Sequence, residues 1–212
     1  MSGHFITFEG GEGAGKSTQI AALHDFLTSR GISVVCTREP GGTPNAELLR
    51  DLVVLGETGR WSALEEMLIM YTARSELVRT LIKPALKEGR WVLSDRFFDS
   101  TTVYQGYAGG VPLSRIRKLN EIVLGNFGPD LTLILDVPTN TGLHRVASRA
   151  ETISRFEKQK VTFYEQVRDG YLQIAKENPK RCQVIDGTQS QMDVSQQIEQ
   201  IVVKHFDAEL AP

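Results

Sequence analysis

Thiols and imidazoles are few in this 212-residue chain, two cysteines and four histidines. Cys36 and Cys182 stand far apart and match no zinc or cluster spacing, so reduced thiols are expected rather than a disulfide framework. His4, His24, His144 and His205 form no ligand cluster and are assigned to packing or surface. No apolar run approaches the roughly 18 residues that a membrane helix requires. An excess of one charge is lacking too: 24 Lys and Arg stand against 26 Asp and Glu, a net charge of −2. That removes any global electrostatic reason to expect nucleic acid or an anionic membrane as partner. There is no internal repeat and no low-complexity tract. A strand-like run starts within the first ten residues and leaves no room for a signal peptide, so a cytoplasmic location is expected.

What remains is ordinary for a globular protein. Apolar residues make up 41% and charged residues 24%, enough for one domain over 1–212 with a sizeable core.

The chain is organised around the stretch from Ile6 to Thr18. An apolar run leads into Gly10, Gly11, Glu12, Gly13, Ala14, Gly15, Lys16, Ser17 and Thr18, and a helical pattern follows. Gly10 and Gly15 bracket four residues, with Lys16 and Ser17 directly after, which is the phosphate-binding loop pattern. Glycines let backbone N–H groups turn inward, and the following helix adds its free N–H groups and positive dipole end. Lys16 brings a charge to the β/γ-phosphates, and the Ser17 hydroxyl suits Mg²⁺.

Downstream, a strand at 33–37 runs into Arg38, Glu39, Pro40 and two glycines. A charged turn at the carboxyl end of a parallel strand is where ligands sit. The Glu39–Pro40 bond is open to a cis form. Helix is expected over 46–55, carrying Arg50, and over 62–87 with a bend near Pro84. Met67, Met70, Tyr71 and Arg74 fall on one face of it. They read as a core stripe or as a pocket wall with a donor; Arg74 favours the wall, because a buried arginine needs a partner.

A strand at 91–95 ends in Asp95 followed by Arg96, an acid to orient a metal and a fork to bridge phosphates. Residues 99–107, including Ser100, Thr101 and Gln105, are rich in neutral hydrogen-bonding groups and suit a neutral ring with amide edges. A strand at 131–137 carries Asp136, a rival to Asp95 that pattern alone does not remove. Arg145, Arg149 and Arg155 flank an expected loop, which predicts a small lid at about 145–158 closing on an anion. Helices are expected over 113–127, 140–149, 157–176 and 193–206, with a last strand at 181–186. This alternation predicts an α/β fold, a parallel sheet of about five strands with helices on both faces.

Several motifs taken together resemble the bacterial thymidylate kinase family over nearly the whole length: FEGGEGAGKST, TREPGGT, the helix ending in YTAR, SDRFFDSTTVYQGY, PDLTLILDVP and the arginine-bearing RFE segment. The resemblance implies the nucleoside-monophosphate kinase version of the P-loop fold, ATP and Mg²⁺, transfer of a γ-phosphoryl group to dTMP, and a homodimer. By position it implies Glu9 near acceptor and metal, Glu39 and Arg50 on the acceptor side with Arg50 at the dTMP phosphate, and Arg74 at thymine O4. It places Asp95 and Arg96 at metal and phosphates, and Thr101 and Gln105 at thymine N3 and the adjoining edge. Glu12 and Ala14 leave the phosphate loop without arginine, which resembles the subclass whose lid supplies it. Met70 stands where the family commonly has a stacking phenylalanine, and Ser154 where an aspartate commonly precedes Arg-Phe-Glu. The rivals are another nucleoside-monophosphate kinase, a GTP-dependent switch, whose Asn-Lys-x-Asp motif is missing here, and an ATP-driven assembly protein.

Overall fold

The computed structural model describes residues 3–57, 59–148 and 160–206. Five strands, β1 (Phe5–Glu9), β2 (Val34–Arg38), β3 (Trp91–Asp95), β4 (Leu131–Asp136) and β5 (Cys182–Asp186), form one parallel sheet in the order β2-β3-β1-β4-β5. The helices are α1 (Lys16–Ser29), α2 (Pro44–Val54), α3 (Ala63–Leu77), α4 (Lys83–Lys87), α5 (Phe98–Thr101), α6 (Leu113–Leu124), α7 (Thr139–Ala147), α8 (Val161–Glu177) and α9 (Gln191–His205).

Strand alternation assigns the two faces. Ile6 and Phe8 of β1, Trp91 and Leu93 of β3, and Leu131, Leu133 and Leu135 of β4 pack with Leu23 and Leu27 of α1 and with Val194 and Ile198 of α9. On the opposite face, Phe5 and Val92 meet Leu77, Ile82 and Leu124, while Ile134 meets Val103, Val167 and Tyr171. Glu9, four residues after Phe5 on β1, therefore faces the α5 and α8 side.

Local chemistry explains the helix starts. Thr43 accepts from Ala46 N ahead of Pro44, and Ser62 and Glu65 form a reciprocal capping box. By contrast α1 starts at Gly15, at φ 95°, with no side-chain cap. Its first N–H groups thus receive no side-chain acceptor from the cap position.

Two expectations are corrected. The helix expected over 62–87 does not simply bend at Pro84. It widens beforehand into a π-helical turn, Val78–Ile82, and Lys83 N donates to Val78 O. Pro84 has no N–H to continue the ordinary ladder, so the turn ahead of it takes up the mismatch. Nor do the four residues of the stripe share one environment. Met67 and Tyr71 are buried with Val111 and Ile116, whereas Met70 is half-buried.

Candidate active site

The strand order brings three carboxyl ends together: the loop after β1, the β2–α2 turn and the β3–α5 turn. Lys16 is buried, and its Nζ donates to Gly10 O and Gly11 O, both at 3.3 Å. Burial, then the Arg96 charge, lowers its pKa. Ser17 and Thr18 are exposed at the start of α1. Gly13 sits at φ 70°, and a Cβ there would collide with the Gly142 carbonyl of α7, so the loop and α7 touch through backbone alone.

Arg96 is the one non-glycine residue with positive φ among those described, at 71°. Such strain persists only where the surroundings enforce it. Its N–H donates to Phe8 O at 2.9 Å. Its Nη1 donates to Gly10 O at 3.2 Å, Ser100 Oγ at 3.2 Å and Tyr171 Oη at 3.0 Å. Its Nη2 donates to Glu12 Oε1 at 3.0 Å, an atom that also accepts from Tyr104 Oη at 3.0 Å. Burial pushes the Glu12 carboxyl up, but the Arg96 and Lys16 charges hold it below the usual carboxylate range.

Glu9 is fully buried. Its Oε1 accepts from Phe97 N at 2.8 Å, and its Oε2 accepts from Ser100 Oγ at 2.6 Å and Tyr171 Oη at 2.9 Å. Burial and then the Asp99 charge push its pKa up to about 7. Here Glu9 ties β1, α5 and α8 together, and Oε2 has both lone pairs engaged.

Asp95 and Asp136 separate once their partners are known. Asp136 is held by Arg168 of α8 through two bonds, of 2.7 and 2.8 Å. Asp95 Oδ2 accepts from Ser17 Oγ at 3.4 Å, while Oδ1 is buried without a hydrogen bond, 4.0 Å from Lys16 Nζ. That orphaned oxygen beside a hydroxyl fits a divalent cation completed by phosphate oxygens and water. Among the described residues no three His, Cys, Asp or Glu side chains converge as a closed metal site.

On the β2 side the Glu39–Pro40 peptide is cis, and Arg50 Nη1 donates to Pro40 O at 2.8 Å. Burial and then the neighbouring Arg38 charge lower the Arg50 pKa, two guanidiniums lying along this edge. Arg74 is 2% exposed. Its Nε and Nη2 reach Glu39 Oε2 at 2.8 and 2.7 Å, and Nη2 also donates to Thr101 Oγ1 at 3.0 Å. Its Nη1 is buried without a partner, as is Oε1 of Gln105. Arg145 of α7 donates to Gly13 O at 3.4 Å and to Gly187 O at 3.2 and 3.3 Å. It lines a cavity of about 310 Å³ with Gly15, Thr18, Gln19 and Gln191, on the flank of the loop away from Arg74. Arg149 and Arg155 lie outside the described residues, as does Ser154 and most of the expected lid.

Comparison with known proteins agrees with this geometry. A thymidylate kinase family model matches residues 8–198. The chain belongs to the thymidylate kinase family. It is 50% identical over 204 residues to a thymidylate kinase of Caulobacter vibrioides, covering 96% of this chain and 98% of the relative. It is 49% identical over 198 residues to that of Afipia carboxidovorans, covering 92% and 87%. The crystal structure of thymidylate kinase from Ehrlichia chaffeensis superposes with a TM-score of 0.77 at 36% identity, over 95% of this chain and 99% of that one. The P-loop nucleoside-monophosphate kinase fold is thereby established, and the chain is a kinase.

Sequence reasoning missed Tyr171, Glu66 and Arg168, and took Tyr104 only as part of the stretch 99–107. Tyr171 and Arg168 act 162 and 32 residues from their partners, and no short motif marks them. Glu66 has a faint signal, a second acid in a helix's first turn that is buried.

Proposed function

We propose that this chain transfers the γ-phosphoryl group of ATP to dTMP, giving dTDP, in one direct in-line step. The observation that carries the acceptor assignment is two of the orphaned atoms in the cleft, where Oε1 of Glu39 is also without a partner. Arg74 Nη1 is a donor without an acceptor, and Gln105 Oε1 an acceptor without a donor. Thymine presents the complement, a carbonyl oxygen beside an imide N–H. Cytosine presents an amino group and a bare ring nitrogen, the reverse order. Met70, half-buried one turn before Arg74, covers the ring face through its thioether.

Phosphoryl transfer asks for alignment and charge neutralisation rather than covalent participation. Lys16, Arg50 and Arg96 supply the cations for the two phosphates. The dTMP phosphate is itself the nucleophile and is ionised at neutral pH, so no strong base is needed. Ser17 and Asp95 would hold Mg²⁺, which when bound neutralises charge on the bridging phosphate oxygens. Glu9 holds Ser100 and the backbone after Arg96 in place. The cavity beside Arg145 takes the donor base. Arg149 and Arg155 are proposed to reach the transferring phosphoryl group; rates unchanged in both R149A and R155A would remove them from the mechanism.

We assign a homodimer through α2, α3 and α6. Leu48 and Leu52 on α2 and Leu64 and Leu68 on α3 stand exposed, beside a groove of about 450 Å³ lined by Leu68, Leu119 and Val123. Light scattering of wild type against L68D tests it, and a monomeric wild type refutes it. No helix among the described residues is long and apolar enough to cross a membrane, and the proposed setting is the cytoplasm.

The deciding assay is ADP release with ATP and Mg²⁺ against dTMP, dUMP, dCMP, dGMP and dAMP. Preference for dTMP supports the reading. Equal turnover of dCMP would sink the thymine assignment, and ADP release without an acceptor would point to an ATPase.

A further inference from the structure

Glu66 has no place in the machinery above, yet it is a buried carboxylate, 8% exposed, on the wall of the acceptor cleft. Its Oε2 accepts from Gln105 Nε2 at 2.8 Å. Glu66, Met70 and Arg74 recur every four residues along one side of α3. Thr101 and Gln105 are likewise four apart, at the end of α5 and in the π-helical segment Thr102–Ala108 that continues it. The two helices are thus joined by two rungs, Arg74 to Thr101 and Glu66 to Gln105, with Met70 between them.

We propose that Glu66 is a positioning residue that sets the polarity of the Gln105 amide and so makes the cleft select an imide ring. This rests on the thymine reading of the acceptor site. A carboxamide alone has no preferred sense: either end can face the ring. A carboxylate accepts and does not donate, so the NH₂ of Gln105 is the end that must face Glu66. The carbonyl oxygen is then the end left over, and it is the buried atom with no partner. An acceptor held toward the ring pairs with the N3–H of thymine or uracil and opposes the N3 lone pair of cytosine. Turning the amide over would set its oxygen against a carboxylate and its NH₂ against the ring. The specificity of Gln105 thus resides partly in a residue that does not touch the substrate.

The test is steady-state kinetics of wild type, E66Q, Q105E and E66Q/Q105E with dTMP and dCMP at saturating ATP, with thermal unfolding alongside. A carboxamide at position 66 tolerates either sense of the Gln105 amide. E66Q should therefore raise KM for dTMP and lower the dTMP-to-dCMP ratio of kcat/KM, each by about tenfold, with a smaller change in kcat. Q105E sets two carboxylates together and should weaken dTMP by at least about tenfold. In the double variant the carboxamide at 66 donates to the carboxylate at 105, whose other oxygen still accepts. Recovery of dTMP binding relative to Q105E is the expected result. A purely structural role for Glu66 instead leaves the dTMP-to-dCMP ratio of E66Q at the wild-type value. If the double variant is no better than Q105E, or if E66Q keeps the wild-type KM and ratio, the proposal is wrong. Should E66Q unfold, the rescue comparison still decides, because the swapped pair restores the hydrogen bond. A wild type that does not prefer dTMP over dCMP would overturn the thymine reading itself, and the proposal with it, before any variant is compared.

Discussion

Removing either half of the Glu39–Arg74 pair should destabilise the protein unequally. The pair is deeply buried, with side-chain exposures of 2% for Arg74 and 5% for Glu39. Glu39→Met leaves a guanidinium that cannot lose its proton inside the protein. An uncompensated buried charge costs about 3–5 kcal/mol. At 2–4 °C per kcal/mol for a chain of this size, the melting temperature falls by about 6–20 °C. Arg74→Met leaves a carboxyl, which can take a proton. Burial already raises the Glu39 pKa above its ordinary 4.5 against the pull of Arg74, and without Arg74 it rises further. The folded state then binds the proton more tightly than the unfolded chain. Stability is recovered as pH falls through the folded value, and is fully regained near the unfolded one. So E39M should cost more than R74M at pH 7.5, and the gap should widen at pH 5.5. E39M/R74M removes both charges and should cost less than E39M alone. Urea unfolding of the four proteins at the two pH values measures this, and KM for dTMP should rise in all three variants. Equal costs for E39M and R74M at both pH values, or a double variant costing the sum of the singles, would refute the reasoning.

Glu9 predicts a pH dependence of stability. A folded value of about 7 against 4.5 unfolded corresponds to about 3 kcal/mol, present below pH 4.5 and lost as pH rises through 7. Urea midpoints should therefore fall between pH 5 and 8 in wild type and flatten in E9Q. Gly142→Ala would drive a Cβ into the Glu12 carbonyl without any φ penalty. Displacing the phosphate loop by a fraction of an ångström should lower kcat/KM for ATP by about ten- to a hundredfold, with helix content unchanged by circular dichroism. Arg96→Ala and Arg96→Gly both lose the guanidinium and should be equally inactive. At φ 71°, however, glycine is unstrained, so R96G should unfold at higher denaturant than R96A, by about 1 kcal/mol.

The parts of the fold that the sequence displays are those written locally. Five strands and their helices follow from apolar runs and caps, and the phosphate loop from its own spacing. Bounds slipped by a few residues where caps sit outside the periodic run, as at Pro44, where α2 starts behind Thr43. Asp95 and Asp136 close the same local pattern, an apolar strand ending in an acid. Only the strand order and Arg168, a residue of α8, tell them apart. Met67, Met70 and Tyr71 look alike on a helical wheel, and what divides them is α6 covering two and leaving the third half-open. The Glu9, Ser100 and Tyr171 cluster joins three elements separated by up to 162 residues, and no window of sequence contains it. The wide turn at Val78–Ile82 was missed because proline marks where a helix cannot continue, not how the preceding turn adjusts.

Arg96 and Lys16, the cations proposed for the phosphates, are already partnered: Arg96 by Glu12 and three neutral acceptors, Lys16 by two loop carbonyls and the nearby Asp95. Arg96 itself depresses the Lys16 pKa, so without Glu12 and Asp95 the two would repel at low dielectric. On the proposed reading, Glu12 stands in for phosphate charge inside the loop. Binding becomes an exchange of partners rather than the filling of an empty cradle. The affinity gained is less than the sum of the new contacts, because each displaces an existing one. The geometry, however, is set beforehand, with Arg96 clamped in a backbone conformation it would not choose alone. For a reaction that depends on alignment, fixed position contributes to kcat while exchanged contacts moderate binding, and the carboxylate at position 12 serves both ends.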